Sequence, residues 1–255
     1  MQNIVISLQS ATDRRHHIES EFQKHNVDFT FFDALTPDLA KICAVNMQID
    51  NNEQVLSQGE LACMMSHITI WQKMINENTP YLAIFEDDIY LGEDAECLLN
   101  SSDWINPKWN IIKIETFSKR VFLSSSTDEI IPKKRYITQL KGENLGTAGY
   151  ILSLQGAQLY LEYLTNNKLL PLDELIFDNF VKHSSEPVYQ MIPALCIQEM
   201  ILNKSSPLLP SALLTDRKNR MHLERKYGVY KLKREVNRVV LQAKRYIFAK
   251  EIDFQ

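Results

Sequence analysis

No apolar run in this chain approaches the roughly 20 residues that a membrane-spanning helix requires, so none is expected. The opening segment, Met1-Gln2-Asn3-Ile4-Val5-Ile6-Ser7-Leu8, has neither a basic region nor a long apolar stretch; it reads as a first strand, not a secretion signal. Cys43, Cys63, Cys97 and Cys196 lie far apart, without the paired spacing of a metal knuckle. Scattered single cysteines suit reduced thiols better than a disulfide framework, and the expected compartment is the cytoplasm. The sequence contains no internal repeat and no low-complexity segment, which excludes solenoids and disordered tracts. What remains is one globular body of ordinary hydrophobic content, 45% over 255 residues, with room for an appendage.

The net charge of −4 conceals an asymmetry. From Arg217 to Lys250 there are twelve Lys or Arg and two acids, a local balance of +10, while the remainder carries −14. Residues 1–215 are therefore read as the main domain and 216–255 as a basic tail. Within the tail Leu232, Val236, Val239, Val240, Ala243 and Ile247 form a helical stripe among the basic residues. Such a helix suits an anionic membrane surface, the alternatives being a helix packed on the acidic body or against another subunit. No recognition motif accompanies the charge, so a nucleic-acid partner is not expected.

Apolar periodicity orders the body as alternating strands and helices. Strands are predicted at Asn3–Leu8, Asp28–Phe32, Tyr81–Phe85, Asn110–Ile114, Arg135–Leu140, Ala148–Leu154 and, last, Val188–Ile192. Helices are predicted at Arg14–His25, with Ile18 and Phe22 on one face, at Gln155–Leu164, and from Pro171. Ser57-Gln58-Gly59-Glu60 forms a capping box that opens a helix running through Ile75. Thr36–Val55 lacks clear periodicity and reads as a mobile excursion. The pattern is α/β with a mainly parallel sheet flanked by helices.

The chemistry concentrates where Tyr81-Leu82-Ala83-Ile84-Phe85 runs into Glu86-Asp87-Asp88. Three carboxylates at the edge of a core are costly unless something positive binds them. Hard divalent cations take oxygen ligands and bridge protein carboxylates to diphosphates. Ligands of open α/β sheets bind beyond the carboxyl ends of the strands. The triplet therefore points to a metal–nucleotide site; the plain alternative is an acidic turn.

In their order along the chain, several segments resemble glycosyltransferase family 25, the bacterial lipooligosaccharide galactosyltransferases and their collagen-modifying relatives. They are Ile4–Leu8 with Arg14-Arg15, Phe31-Phe32-Asp33-Ala34, Gly59-Glu60-Leu61-Ala62-Cys63 with Ser66-His67, Phe85–Asp88, Gly149–Ser153 with Gly156-Ala157, and Pro171-Leu172-Asp173. Together they span about residues 3–200; Gly149 departs from the pattern, which has Ala before the tyrosine, and beyond Ile201 little matches. The resemblance implies a GT-A-like fold and inverting, Mn²⁺- or Mg²⁺-dependent transfer from a UDP-sugar, usually UDP-galactose, giving a β linkage. It further implies a lipid-linked oligosaccharide acceptor, reached at the inner face of the inner membrane. By the same resemblance Asp88 binds the metal with Glu86, Glu86 also faces the ribose, and Asp87 acts through water or backbone contacts. Another UDP-sugar (glucose or an N-acetylhexosamine) and an inactive fold that docks an acidic partner are the alternatives.

Direct inversion needs a carboxylate to take the acceptor's proton. Asp173, at a helix start, is the first candidate, although an acid there also complements the helix dipole; Glu115 and Asp178 are rivals. His67 is either a donor or acceptor contact or a satisfied core residue. His183 and His222 are candidates for a further metal ligand, whereas His16 and His17 read as solvated. One of Arg14 and Arg15 is expected to reach the nucleotide, and Ser7 and Leu8 to line the base pocket.

Overall fold

A computed structural model describes residues 1–49, 51, 55–118, 120–203 and 244–255. The chain opens with β1 (Gln2–Ser7), α1 (Thr12–Lys24), β2 (Thr30–Asp33), α2 (Pro37–Asn46) and α3 (Gln58–Asn76). β3 (Tyr81–Glu86), β4 (Ile89–Leu91), α4 (Ala95–Asn100), β5 (Ile111–Lys113) and β6 (Glu115–Thr116) follow. Next come β7 (Arg120–Val121), β8 (Leu123–Ile131), β9 (Arg135–Leu140), β10 (Gly149–Ser153) and α5 (Leu154–Asn166). A helical stretch follows: α6 (Leu172–Glu174), a π turn over Leu175–Asn179, and α7 (Phe180–His183). The described elements end with β11 (Tyr189–Ile192), β12 (Cys196–Gln198), α8 (Glu199–Leu202) and β13 (Lys250–Glu251).

Eight strands form the main sheet in the order β2-β1-β3-β10-β5-β11-β9-β8. Their pairings leave β10 and β9 running against the other six, so the sheet is mainly parallel in direction. Alternation along the central strands divides the core. Ile4, Ile6, Leu82 and Ile84 face the layer of α2, α3 and α5. Val5, Ala83 and Phe85 face the opposite layer, with Ile18 and Phe22 of α1 and Leu98 and Leu99 of α4. α3 starts at the expected capping box, with Glu60 N–H on the Ser57 hydroxyl and Ser57 N–H on the Glu60 carboxylate. Register then places the site: Ile6 of β1 pairs with Glu86 and Ser7 with Asp33, so β1, β2 and β3 end side by side.

Three expectations need correction. Thr36–Val55 contains α2, begun by Pro37 in its first turn and packed through Ala40 and Ala44 one helical turn apart. Val188–Ile192 is not the last strand, because β12 joins β4 and β6 in a second, three-stranded sheet. β8, unexpected in the sequence, is a polar outer strand on β9. Gly149 has a local cause: a Cβ there would stand 2.1 Å from the Cys196 sulfur.

Most of the predicted basic tail, residues 216–243, lies outside the described residues. Its end is part of the body. β13 pairs with β7, Ile252 is buried, and the Ala194 N–H donates to the Asp253 carbonyl at 2.7 Å. Arg135, itself buried, donates to the Gln255 main-chain oxygen. Among the described residues no helix is long and apolar enough to cross a membrane.

Candidate active site

The acidic triplet runs from Glu86, the last residue of β3, into the turn before β4, at the carboxyl edge of the sheet. Asp87 and Asp88 are buried, and the positive partner that three clustered carboxylates demand is Arg14 in the first turns of α1. Its guanidinium ion-pairs with Asp87 and, at 3.2 Å, with Asp88. Burial works against the charge on Arg14, but Asp88, Asp87 and Glu86 outweigh it and hold the group protonated. The second Asp88 oxygen, Oδ1, is buried without a hydrogen-bond partner. Burial, reinforced by Asp87 and opposed by Arg14, raises the Asp88 pKa.

Glu86, half-buried, accepts from the Thr147 hydroxyl at 2.5 Å and from the Gln198 amide at 3.3 Å. Burial first, then Asp88, pushes its carboxyl up to about 8, with Thr147 opposing. Glu86, Asp87 and Asp88 are thus an oxygen-rich set short of positive charge, the donor chemistry a hard divalent cation takes.

The two arginines separate cleanly. Arg14 reaches the triplet, while Arg15 binds the Ser7 and Leu8 carbonyls at 3.0 and 3.1 Å, pairs with Asp33 and lies 4.6 Å from the Phe31 ring centroid. Arg15 therefore braces the loop after β1. Ser7, next to the Ile6 that pairs with Glu86, is buried, and Leu8 is exposed.

His67 projects from α3 into the core and is fully buried. Its Nδ1 lies 2.7 Å from the Tyr150 hydroxyl, which accepts from Trp71 Nε1 at 3.0 Å, while Nε2 has no partner. Burial lowers its pKa to about 3, so the ring is neutral. One turn earlier stands Cys63, whose thiol is raised well above its ordinary range by burial first, then by Glu86, Asp173, Glu60 and Asp88. Asp173, Glu86 and Asp88 therefore all lie near enough to Cys63 to act on its thiol. Asp173 itself, half-buried at the start of α6, accepts from the Glu174 N–H at 3.0 Å.

Glu115, a rival for the base, lies fully buried. Its Oε2 accepts from Lys113 Nζ at 2.9 Å and from the Ala148 N–H at 3.0 Å. Lys113 also donates to the Gly146 carbonyl at 2.5 Å and sits 4.1 Å from the Phe177 ring centroid. Gly146 has φ +91°, and a Cβ there would meet a Glu115 oxygen at 2.6 Å. This pair therefore anchors the segment that carries Thr147 to Glu86, and a carboxylate so enclosed cannot receive a proton from a bound acceptor. Asp178, the other rival, is ion-paired with Lys182 at 2.5 Å.

Of the remaining histidines, His16 is exposed, but His17 is not free in solvent: Nε2 lies 2.8 Å from the Ile89 carbonyl and the ring packs on Tyr90. His183 is exposed at the end of α7, with Nδ1 on the Asn179 carbonyl, away from the triplet's contacts. His222 lies outside the described residues. Sequence reasoning missed Thr147, Gln198 and Cys63. Only Cys63 carried a signal, one turn before His67 on a capped helix.

Comparison with known proteins gives a consistent result. The sequence model of glycosyltransferase family 25 (LPS biosynthesis protein) matches residues 1–176. A lipooligosaccharide biosynthesis protein, lex-1, of Haemophilus influenzae is 36% identical over 258 residues, covering 89% of this chain and 85% of that one. The lacto-N-neotetraose biosynthesis glycosyltransferase LgtE of Neisseria meningitidis serogroup B is 36% identical over 254 residues, 93% of this chain and 90% of its own. Among solved structures, mouse xyloside xylosyltransferase 1 aligns with a TM-score of 0.39 at 11% identity, over 71% of this chain and 69% of that one, a likeness too remote to inform the site.

Proposed function

The chain belongs to glycosyltransferase family 25, and we propose that it transfers galactose from UDP-galactose to a lipooligosaccharide sugar acceptor with inversion, forming a β linkage. The observation that carries this reading is the charge-deficient acidic turn at the carboxyl edge of the sheet, where Asp88 is buried with Oδ1 unpartnered. The carboxylate set and the orphaned Asp88 Oδ1 fit Mn²⁺ or Mg²⁺. Asp88 and Glu86 would hold the ion; when bound, it supplies charge stabilisation for the departing diphosphate.

The chain's own groups supply the rest. Arg14 already offsets part of the turn's charge and offers a guanidinium fork to a diphosphate. Ser7 and Leu8 border the nucleotide from the end of β1. Asp173 takes the proton of the acceptor hydroxyl as its oxygen attacks the anomeric carbon from the face opposite the leaving UDP. The test is acceptor-dependent UDP release from a panel of UDP-sugars with Mn²⁺. UDP-galactose should be the preferred donor, and Asp173→Asn should lower kcat by roughly 10²-fold with donor affinity largely kept. Preference for UDP-glucose or an N-acetylhexosamine donor overturns the sugar assignment. Collapse of donor affinity with kcat intact makes Asp173 a binding residue.

The acceptor of such an enzyme is lipid-anchored, and we place the protein at the cytoplasmic face of the inner membrane. Support comes from the +10 balance over Arg217–Lys250 and from Tyr246, Ile247 and Phe248, which are largely exposed beside it. Because the final residues pack into the body, truncating the tail is a poor test. Replacing Lys231, Lys233, Arg234 and Arg238 by glutamate is expected to abolish binding to phosphatidylserine vesicles while a soluble acceptor is still turned over. Binding by the unmodified protein should weaken as salt rises, since screening acts within about 8 Å at physiological ionic strength. Indifference of the unmodified protein to such vesicles at low salt would rule out this attachment.

A further inference from the structure

Beneath the acidic turn lies a cluster with a different chemical character. Cys63 and His67, four residues apart on α3, share one helix face, and Glu86 meets them from the end of β3. One ligand atom from each, the thiol sulfur, a ring nitrogen and a carboxylate oxygen, all lie within 4.8 Å of one another. His67 is fully buried, and the nitrogen not engaged by Tyr150 has no partner. Leaving such a group unmatched costs about 1–3 kcal/mol.

We propose that Cys63, His67 and Glu86 bind a thiophilic divalent cation, Zn²⁺, at a site that shares Glu86 with the hard-cation site of Asp88. The donor set decides the metal. Thiolate and imidazole with one carboxylate suit zinc, whereas Mg²⁺ and Mn²⁺ favour oxygen alone. Bonds of about 2.0–2.3 Å in a tetrahedron set neighbouring ligand atoms about 3.5 Å apart, so the three side chains close by roughly an ångström. The supporting contacts are in place. Tyr150, fixed by Trp71, sits on His67 Nδ1, and Thr147 and Gln198 hold the Glu86 carboxylate. Such partners fix ring orientation and tautomer at zinc sites. Cys63 and Glu86 are only half-buried and leave a way in, and the thiol releases its proton to solvent on coordination. Three protein ligands leave one coordination position open.

Zinc binding is independent of the sugar-transfer reading. Only one consequence rests on that reading: Zn²⁺ withdraws Glu86 from the donor side and slows turnover. The test uses the metal-stripped full chain without substrate. Co²⁺ should bind at one equivalent with a thiolate-to-metal charge-transfer band, and Zn²⁺ should displace it. Cys63→Ser should remove the band, Cys97→Ser on the exposed surface should leave it, and Tyr150→Phe should weaken Zn²⁺ binding by about 10-fold or more. X-ray absorption of the unsubstituted Zn²⁺-loaded protein should show one sulfur ligand, a reading that needs no variant to fold. A shell with no sulfur or two, a band that survives Cys63→Ser, or Mn²⁺ that abolishes the Co²⁺ charge-transfer band as readily as Zn²⁺ overturns the site. Absence of transferase activity alone leaves these readouts unchanged and counts only against the sugar-transfer reading.

Discussion

Asp88→Asn is expected to lower kcat/KM for sugar transfer by about 10³-fold, roughly 4 kcal/mol of transition-state stabilisation, in a protein that remains folded. One Asp88 oxygen pairs with Arg14 and the other is buried without a partner, an arrangement that wastes a carboxylate unless a cation completes it. Asparagine keeps the shape and one acceptor for Arg14 but removes the anionic ligand. The fold should tolerate the change, because burial and Asp87 already disfavour the ionised carboxylate. The Asp88 main-chain carbonyl, which accepts from the Glu199 N–H at 2.7 Å, is untouched. Calorimetry should show Mn²⁺-dependent UDP binding weakened in parallel, with the melting temperature held or slightly raised. A folded Asp88→Asn protein that turns over near the normal rate would remove Asp88 from the metal site.

The legible parts of this molecule are those where one local rule acts alone. An apolar run ending in carboxylates marked β3 and the turn after it, and Ser57 with Glu60 marked the start of α3. Isoleucine and phenylalanine four residues apart marked α1. α2 was hidden because its amphipathicity is inverted in size: small Ala40 and Ala44 face the core while Leu39, Ile42 and Val45 are exposed. β8 was hidden because Ser124, Ser125, Ser126, Thr127 and Asp128 at an exposed edge carry no apolar alternation. The division of labour between Arg14 and Arg15 was equally invisible. Neighbours on a helix point about 100° apart, and only the packing of α1 decides which meets β3 and which meets β2. Glu115 misled for a different reason. It does follow a strand at the carboxyl edge, but Lys113, two residues earlier, claims its charge inside the core. A carboxylate near a basic residue along an extended chain needs that neighbour weighed before any catalytic role.

At that pair the largest stability effect is expected. Lys113→Met should destabilise the fold by about 3–5 kcal/mol, because it leaves the Glu115 carboxylate buried without a counter-charge. Against a total of roughly 5–15 kcal/mol this lowers the melting temperature by about 10 °C. Glu115→Gln in the Lys113→Met background should recover most of the loss, since an amide oxygen still accepts from the Ala148 N–H without carrying charge. The double-mutant cycle measures the coupling directly; a loss below about 1 kcal/mol in the single variant would show that water reaches Glu115 and that the pair is dispensable. The double variant also separates stability from site geometry. Lys113 ties down the Gly146 carbonyl, Thr147 holds Glu86, and the Ala148 carbonyl accepts from the Glu86 N–H at 3.2 Å. With the lysine gone, that segment loses its anchor to β5. Restored melting temperature should therefore be accompanied by weaker UDP binding, whereas full recovery of both would confine Lys113 and Glu115 to the core.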